Sequence, residues 1–132
     1  MSRLLLFDID CTLIDTGGAG MEALKLAAKM LFGASGPKLD LAGSTDSGIV
    51  QGMLDHFSSD IPHETFYQTY LGYLSTSLHA FPGKVLPGVD ALLDALQYEG
   101  ATLSLLTGNI QEAAWKKLHH YGLSDYFKVG AF

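Results

Sequence analysis

The chain has 132 residues, enough for one domain with a single core, and 48% of them are hydrophobic, which excludes a disordered segment. A formal net charge of −6 without a basic cluster argues against nucleic acid or an anionic membrane as partner. One cysteine makes no internal disulfide and suits a reducing compartment. No signal peptide and no apolar run of bilayer length is evident, so the cytoplasm is the expected location.

The first element is the run Leu4-Leu5-Leu6-Phe7, with the length and character of a parallel strand buried on both faces. It ends on Asp8 and Asp10, with the hydroxyl of Thr12 two positions further on. In an open parallel sheet, chemistry sits just beyond the carboxyl ends of the strands. Close carboxylates repel unless a cation or a donor stands between them. A solvated turn after a core strand is the alternative.

The glycine cluster of residues 16–20 lacks the spacing of a dinucleotide or P-loop fingerprint and reads as a hinge. Met21, Leu24, Ala28, Leu31 and Phe32 then recur at helical spacing, with Gly33 as a stop. A loop over 36–44 carries Pro37 and Gly43. Ser44 or Thr45 can cap a second helix, whose apolar face is Ile49, Val50, Met53, Leu54 and Phe57. Pro62 marks a third, with Phe66, Tyr67, Tyr70, Leu71, Leu74 and Leu78 along its stripe. Val89, Leu92, Leu93 and Leu96 predict a fourth helix ended by Gly100. The run 101–106 predicts a second strand, ending on Thr107-Gly108-Asn109. A helix over 110–120 and a strand over 126–132 complete the chain. Strand, helix, strand, helix, strand is the pattern of a doubly wound α/β fold with a parallel, Rossmann-like sheet.

Asp8, Asp10 and Thr12 resemble motif I of the haloacid dehalogenase-like hydrolase superfamily, D-x-D-x-T at the end of the first strand. The resemblance implies that Asp8 is a nucleophile forming an aspartyl-phosphate, that Asp10 is the general acid and then base, and that Thr12 supports the loop. The family usually has Gly where this chain has Cys11. Thr107-Gly108-Asn109 resembles motif II, whose hydroxyl and backbone amides bind phosphoryl oxygens; a Thr and free amides at a strand-to-helix turn are donors aimed at an anion. Taken alone, Thr107 could equally be a helix cap. The helical insert over 16–83 falls where the family's C1-type cap does, leaving 1–15 and 84–132 as the core. Mg²⁺ is the implied cofactor, held by Asp8 and the backbone carbonyl of Asp10. The second aspartate favours phosphate ester chemistry, and the resemblance is to the phosphoglycolate phosphatase-like and phosphomutase-like branch, without separating the two. A small phosphorylated metabolite is the implied substrate.

The resemblance runs along the whole chain yet covers only the first half of the family's pattern. Neither a motif III Lys or Arg nor a motif IV acidic metal ligand is found. Lys128 and Asp125 fall too early, and Lys116 and Lys117 read as a solvated helix face. The family's strand order, 3-2-1-4-5, would leave Leu4 to Phe7 as an open apolar edge. The expectation is therefore the N-terminal part of a larger protein, or a sheet completed by another chain. An inactive fragment serving as an interaction subunit is the competing reading, and for the chain by itself weak or no turnover is expected.

Overall fold

The computed structural model describes residues 3–38, 44–128 and 130–132. Gly43 and most of the loop expected over 36–44 lie outside them. The chain divides into two compact units, Gly18–Pro82 and the pair Met1–Gly17 with Gly83–Phe132. The fold class is α/β, with a parallel sheet of three strands.

The discontinuous unit carries the sheet. Strand β1 is Leu4–Phe7, β2 is Ile14–Asp15, β3 is Lys84–Val85, β4 is Thr102–Leu106 and β5 is Gly130–Ala131. Helices α4, Val89–Tyr98, and α5, Gln111–His120, lie between the later strands. The parallel sheet runs β1-β4-β5, with Leu4 opposite Thr102 and Phe7 opposite Leu105. This is the first three strands of the expected order, and β4 is central. Its residues Leu103, Ser104 and Leu105 are buried as the middle of a covered sheet should be.

Burial of β1 on both faces is not what the structure has. Leu5 and Phe7 pack on the core of Ile9, Leu93, Leu103, Leu105 and Leu118, whereas Leu4 and Leu6 are 63% and 55% exposed. Among the described residues β1 has one strand neighbour, β4, and lies at the edge of the sheet. The expected strand over 126–132 is also shorter. Ser124–Tyr126 forms a turn of 3₁₀ helix instead, between the buried side chains of Leu123 and Phe127, and only Gly130–Ala131 pair with β4. The β2–β3 ribbon was not expected at all; Asp15 faces Lys84 across it and Ile14 is fully buried. Two-residue strands are too short to leave a periodic signal.

The second unit is three helices, α1 Ala19–Phe32, α2 Asp46–His56 and α3 His63–Ala80. Thr45 caps α2, its Oγ1 accepting from the Gly48 amide at 3.1 Å. The α3 stripe of Phe66, Tyr70, Leu74 and Leu78 is buried at the i, i+4 spacing. On α1 the buried face is mostly small, Ala19, Ala23, Leu24, Ala27 and Ala28, and this helix packs chiefly against α3. Phe32 stacks on Phe57 with ring centroids 4.6 Å apart. Among the described residues no helix is long and apolar enough to cross a membrane.

Candidate functional site

The site grows from the two strand ends β1 and β4. After Phe7 the side chain of Ile9 turns into the core with no exposure, and its carbonyl accepts from the amides of Leu13 at 2.9 Å and Ile14 at 3.2 Å. Cys11 completes the turn at φ 63°, in the left-handed region that favours glycine. It is the position where Gly is usual in the family. Its thiol is free and exposed.

Asp8 stands exposed at the end of β1, its Oδ1 accepting from the adjacent Ile9 amide at 2.8 Å. Asp10 is drawn the other way. Its carboxylate accepts from Asn109 Nδ2 at 2.9 Å and from Lys117 Nζ at 3.0 and 3.2 Å. Asn109 and Thr107 lie in the turn between β4 and α5, both buried. Thr107 Oγ1 accepts twice from Asn109, from the backbone amide at 3.1 Å and from Nδ2 at 2.8 Å. Asp10, Thr107 and Asn109 thus form one hydrogen-bonded group, while Thr12 stays exposed in its turn, outside it.

Two expectations need correction. Lys117 is not on a solvated face: it is 5% exposed, and its ammonium also donates to Asn109 Oδ1 at 2.7 Å. A buried cation needs acceptors, and here Asp10 and Asn109 supply all three. The signal was present in the helical period, since Lys117 shares the stripe of Ala113, Ala114 and Leu118, and Lys116 does not. Nor are all the turn's amides free. The Thr107 amide donates to the Ala131 carbonyl at 3.1 Å and the Asn109 amide to Thr107, which leaves that of Gly108 without a partner among the described residues.

Tyr121, just past α5, was also missed. Its hydroxyl is buried with no hydrogen-bond partner, the one such side-chain atom among the described residues. Burial, then the charges of Asp15 and Asp10, raise its pKa above the ordinary tyrosine value and keep it neutral. It lies over Gly83, where a Cβ would stand 1.8 Å from the hydroxyl oxygen and 2.6 Å from the Asp15 carbonyl. Only glycine fits there.

Carboxylate and carbonyl oxygens are the donors a small hard cation takes. Asp8 and Asp10 provide them, and no cluster of three or more His, Cys, Asp or Glu occurs among the described residues. Magnesium sites commonly use one or two carboxylates, with water and substrate phosphate completing the shell, so this donor set fits.

Comparison with known proteins adds the family. The model of the haloacid dehalogenase-like hydrolases matches residues 5–131. A phosphoglycolate phosphatase of Agrobacterium fabrum is 27% identical over 132 residues, covering 96% of this chain and 57% of the relative. The crystal structure of CbbY from Rhodobacter sphaeroides in complex with phosphate superposes with a TM-score of 0.78 at 17% identity, over 99% of this chain and 63% of that one. A family hydrolase from Entamoeba histolytica gives a TM-score of 0.65 at 21% identity, over 97% and 58%. The chain therefore spans less than two thirds of the length of these relatives.

Proposed function

The chain belongs to the haloacid dehalogenase-like hydrolase family, and from that premise we propose that it supplies Asp8 and Asp10 to a Mg²⁺-dependent phosphatase acting on a small phosphorylated metabolite. The observation that carries the reading is the contrast between the two aspartates. Asp8 is exposed and free to attack, while Asp10 is held by Lys117 and Asn109 beside Thr107. A carboxylate oxygen of Asp8 attacks phosphorus, the bond to the leaving alkoxide breaks, and Asp10 gives the alkoxide a proton. Water then attacks the aspartyl-phosphate, Asp10 takes its proton, and phosphate leaves with Asp8 restored. All the Asp10 contacts are N–H donors, which suits the base half; the acid half needs those contacts to loosen.

The Thr107 hydroxyl and the Gly108 amide are the donors for phosphoryl oxygens, with Asn109 holding both Thr107 and Asp10. Mg²⁺ would be held by the Asp8 carboxylate and the Asp10 backbone carbonyl, and when bound offsets repulsion between the nucleophile and the phosphate dianion. The helical unit, by its place in the chain, is the substrate-selecting cap. Phosphoglycolate is the first compound to screen, on the strength of the Agrobacterium relative. In a Mg²⁺-containing assay of the whole protein, Asp8→Asn should lower turnover about 10⁴-fold or more, as loss of a nucleophile does elsewhere. Retained turnover in that variant would end the nucleophile assignment.

The open edge of β1 supports a second element of the reading. With Leu4 and Leu6 exposed and one flank unpaired among the described residues, β1 suits a further strand from a longer protein or a partner chain. Hydrogen exchange at the β1 amides reads this directly. Protection equal to that of β4 in the whole protein supports the added strand, and fast exchange on alternate β1 amides counts against it.

A further inference from the structure

We propose that Lys117 is a positioning residue that, together with the Asp10 carboxylate, fixes the orientation of the Asn109 amide and so leaves the Thr107 hydroxyl as a donor to an incoming anion. The inference rests on the phosphatase reading only for the identity of that anion. The argument is one of hydrogen-bond polarity. An ammonium has three donors and no acceptor, so the Asn109 atom 2.7 Å from Lys117 Nζ must be the amide oxygen. The NH₂ then faces the other way, toward Asp10 Oδ2 at 2.9 Å and Thr107 Oγ1 at 2.8 Å. Thr107 Oγ1 also receives the Asn109 backbone amide at 3.1 Å. Both of its lone pairs are occupied, so its own hydrogen is turned out of the group, and no described residue accepts it. The residue as a whole keeps 8% exposure.

Without a donor-only group at position 117 the Asn109 oxygen loses its partner, and only Asp10 Oδ2, an acceptor, still holds the NH₂ toward Thr107. The Asn109 amide is then anchored at one end instead of two, and the Thr107 donor it orients is less firmly aimed. The net charge of the site changes at the same time, because the ammonium offsets the Asp10 carboxylate beside which an anion must bind.

The test is binding of inorganic phosphate by calorimetry, together with kcat and KM for turnover, in Lys117→Met and Lys117→Arg. Methionine fills similar space without donors; arginine keeps a donor-only cation. Lys117→Met should weaken phosphate binding about tenfold to a hundredfold, the range for a hydrogen bond to a charged group with its partner charge. Lys117→Arg should recover most of that loss. A packing role predicts the reverse order, because arginine is the worse fit at a site 5% exposed, and that order overturns the proposal. In a double-mutant cycle, Thr107→Val should cost more phosphate affinity in the unmodified protein than in the Lys117→Met background; equal cost in both also overturns it. Neutron diffraction on the unmodified protein covers the case in which the variants do not fold. A Thr107 hydroxyl deuterium directed away from Asn109 supports the proposal, and one lying between the two residues refutes it. That measurement needs no substrate, so its failure is distinct from absence of turnover in the unmodified protein, which would count against the phosphatase reading.

Discussion

Strands β1 and β4 are written in nearly the same alphabet, four large apolar residues in one and three leucines around Ser104 in the other. Each ends in a turn that carries polar residues of the candidate site. Yet Leu103, Ser104 and Leu105 are buried, whereas Leu4 and Leu6 are more exposed than not. The difference lies in neighbours. Among the described residues β4 is flanked by β1 on one side and β5 on the other, and β1 by β4 alone. Their turns follow suit: Asp8 is exposed, and Thr107 and Asn109 are buried in a hydrogen-bonded group. A strand's own residues say that it is apolar, and its place in the sheet says how much of that is hidden.

The comparison can be broken first at its chemical end. Asp8→Asn should remove about 10⁴-fold or more of turnover while leaving the thermal midpoint unchanged, since an exposed side chain is being exchanged for its isostere. Leu103→Ala in β4 comes next, with an expected loss of about 2–5 kcal/mol in urea unfolding, because it empties space in a closed core. Tyr121→Phe should stabilise by about 1 kcal/mol, since the hydroxyl it removes is buried and unpaired. The same substitution carries a pH signature. The folded-state pKa of Tyr121 lies above its unfolded value, so its neutral form is favoured by the fold and stability falls as pH rises beyond about 10. Unfolding scans across that alkaline range should show a steeper decline in the unmodified protein than in Tyr121→Phe. Leu6→Ala in β1 should move stability by less than about 0.5 kcal/mol if its face is open. A loss there as large as that at Leu103 would mean the face is covered in solution.

The helical unit makes the same point with different residues. Large residues at helical spacing identify α1, but its buried face is mainly alanine, at 19, 23, 27 and 28. Periodicity locates a helix, and the partner helix decides which narrow strip of it is pressed closest.

The sequence by itself determined the elements with strong local signals: the apolar strands, the amphipathic helices, the Thr45 cap, and the glycine stops at Gly33 and Gly100. It also nominated Asp8, Asp10, Thr107 and Asn109, because their types at strand ends are unusual enough to be noticed one at a time. What only the tertiary structure decided are relations between residues far apart in the chain. Lys117 meets Asp10 across 107 positions, Tyr121 lies over Gly83, and the β2–β3 ribbon joins residues 14–15 to 84–85. Such contacts leave no period in the sequence. They are fixed when the sheet closes and α5 turns its stripe of Ala113, Ala114, Lys117 and Leu118 inward, carrying a lysine into the site along with the apolar residues that drive the packing.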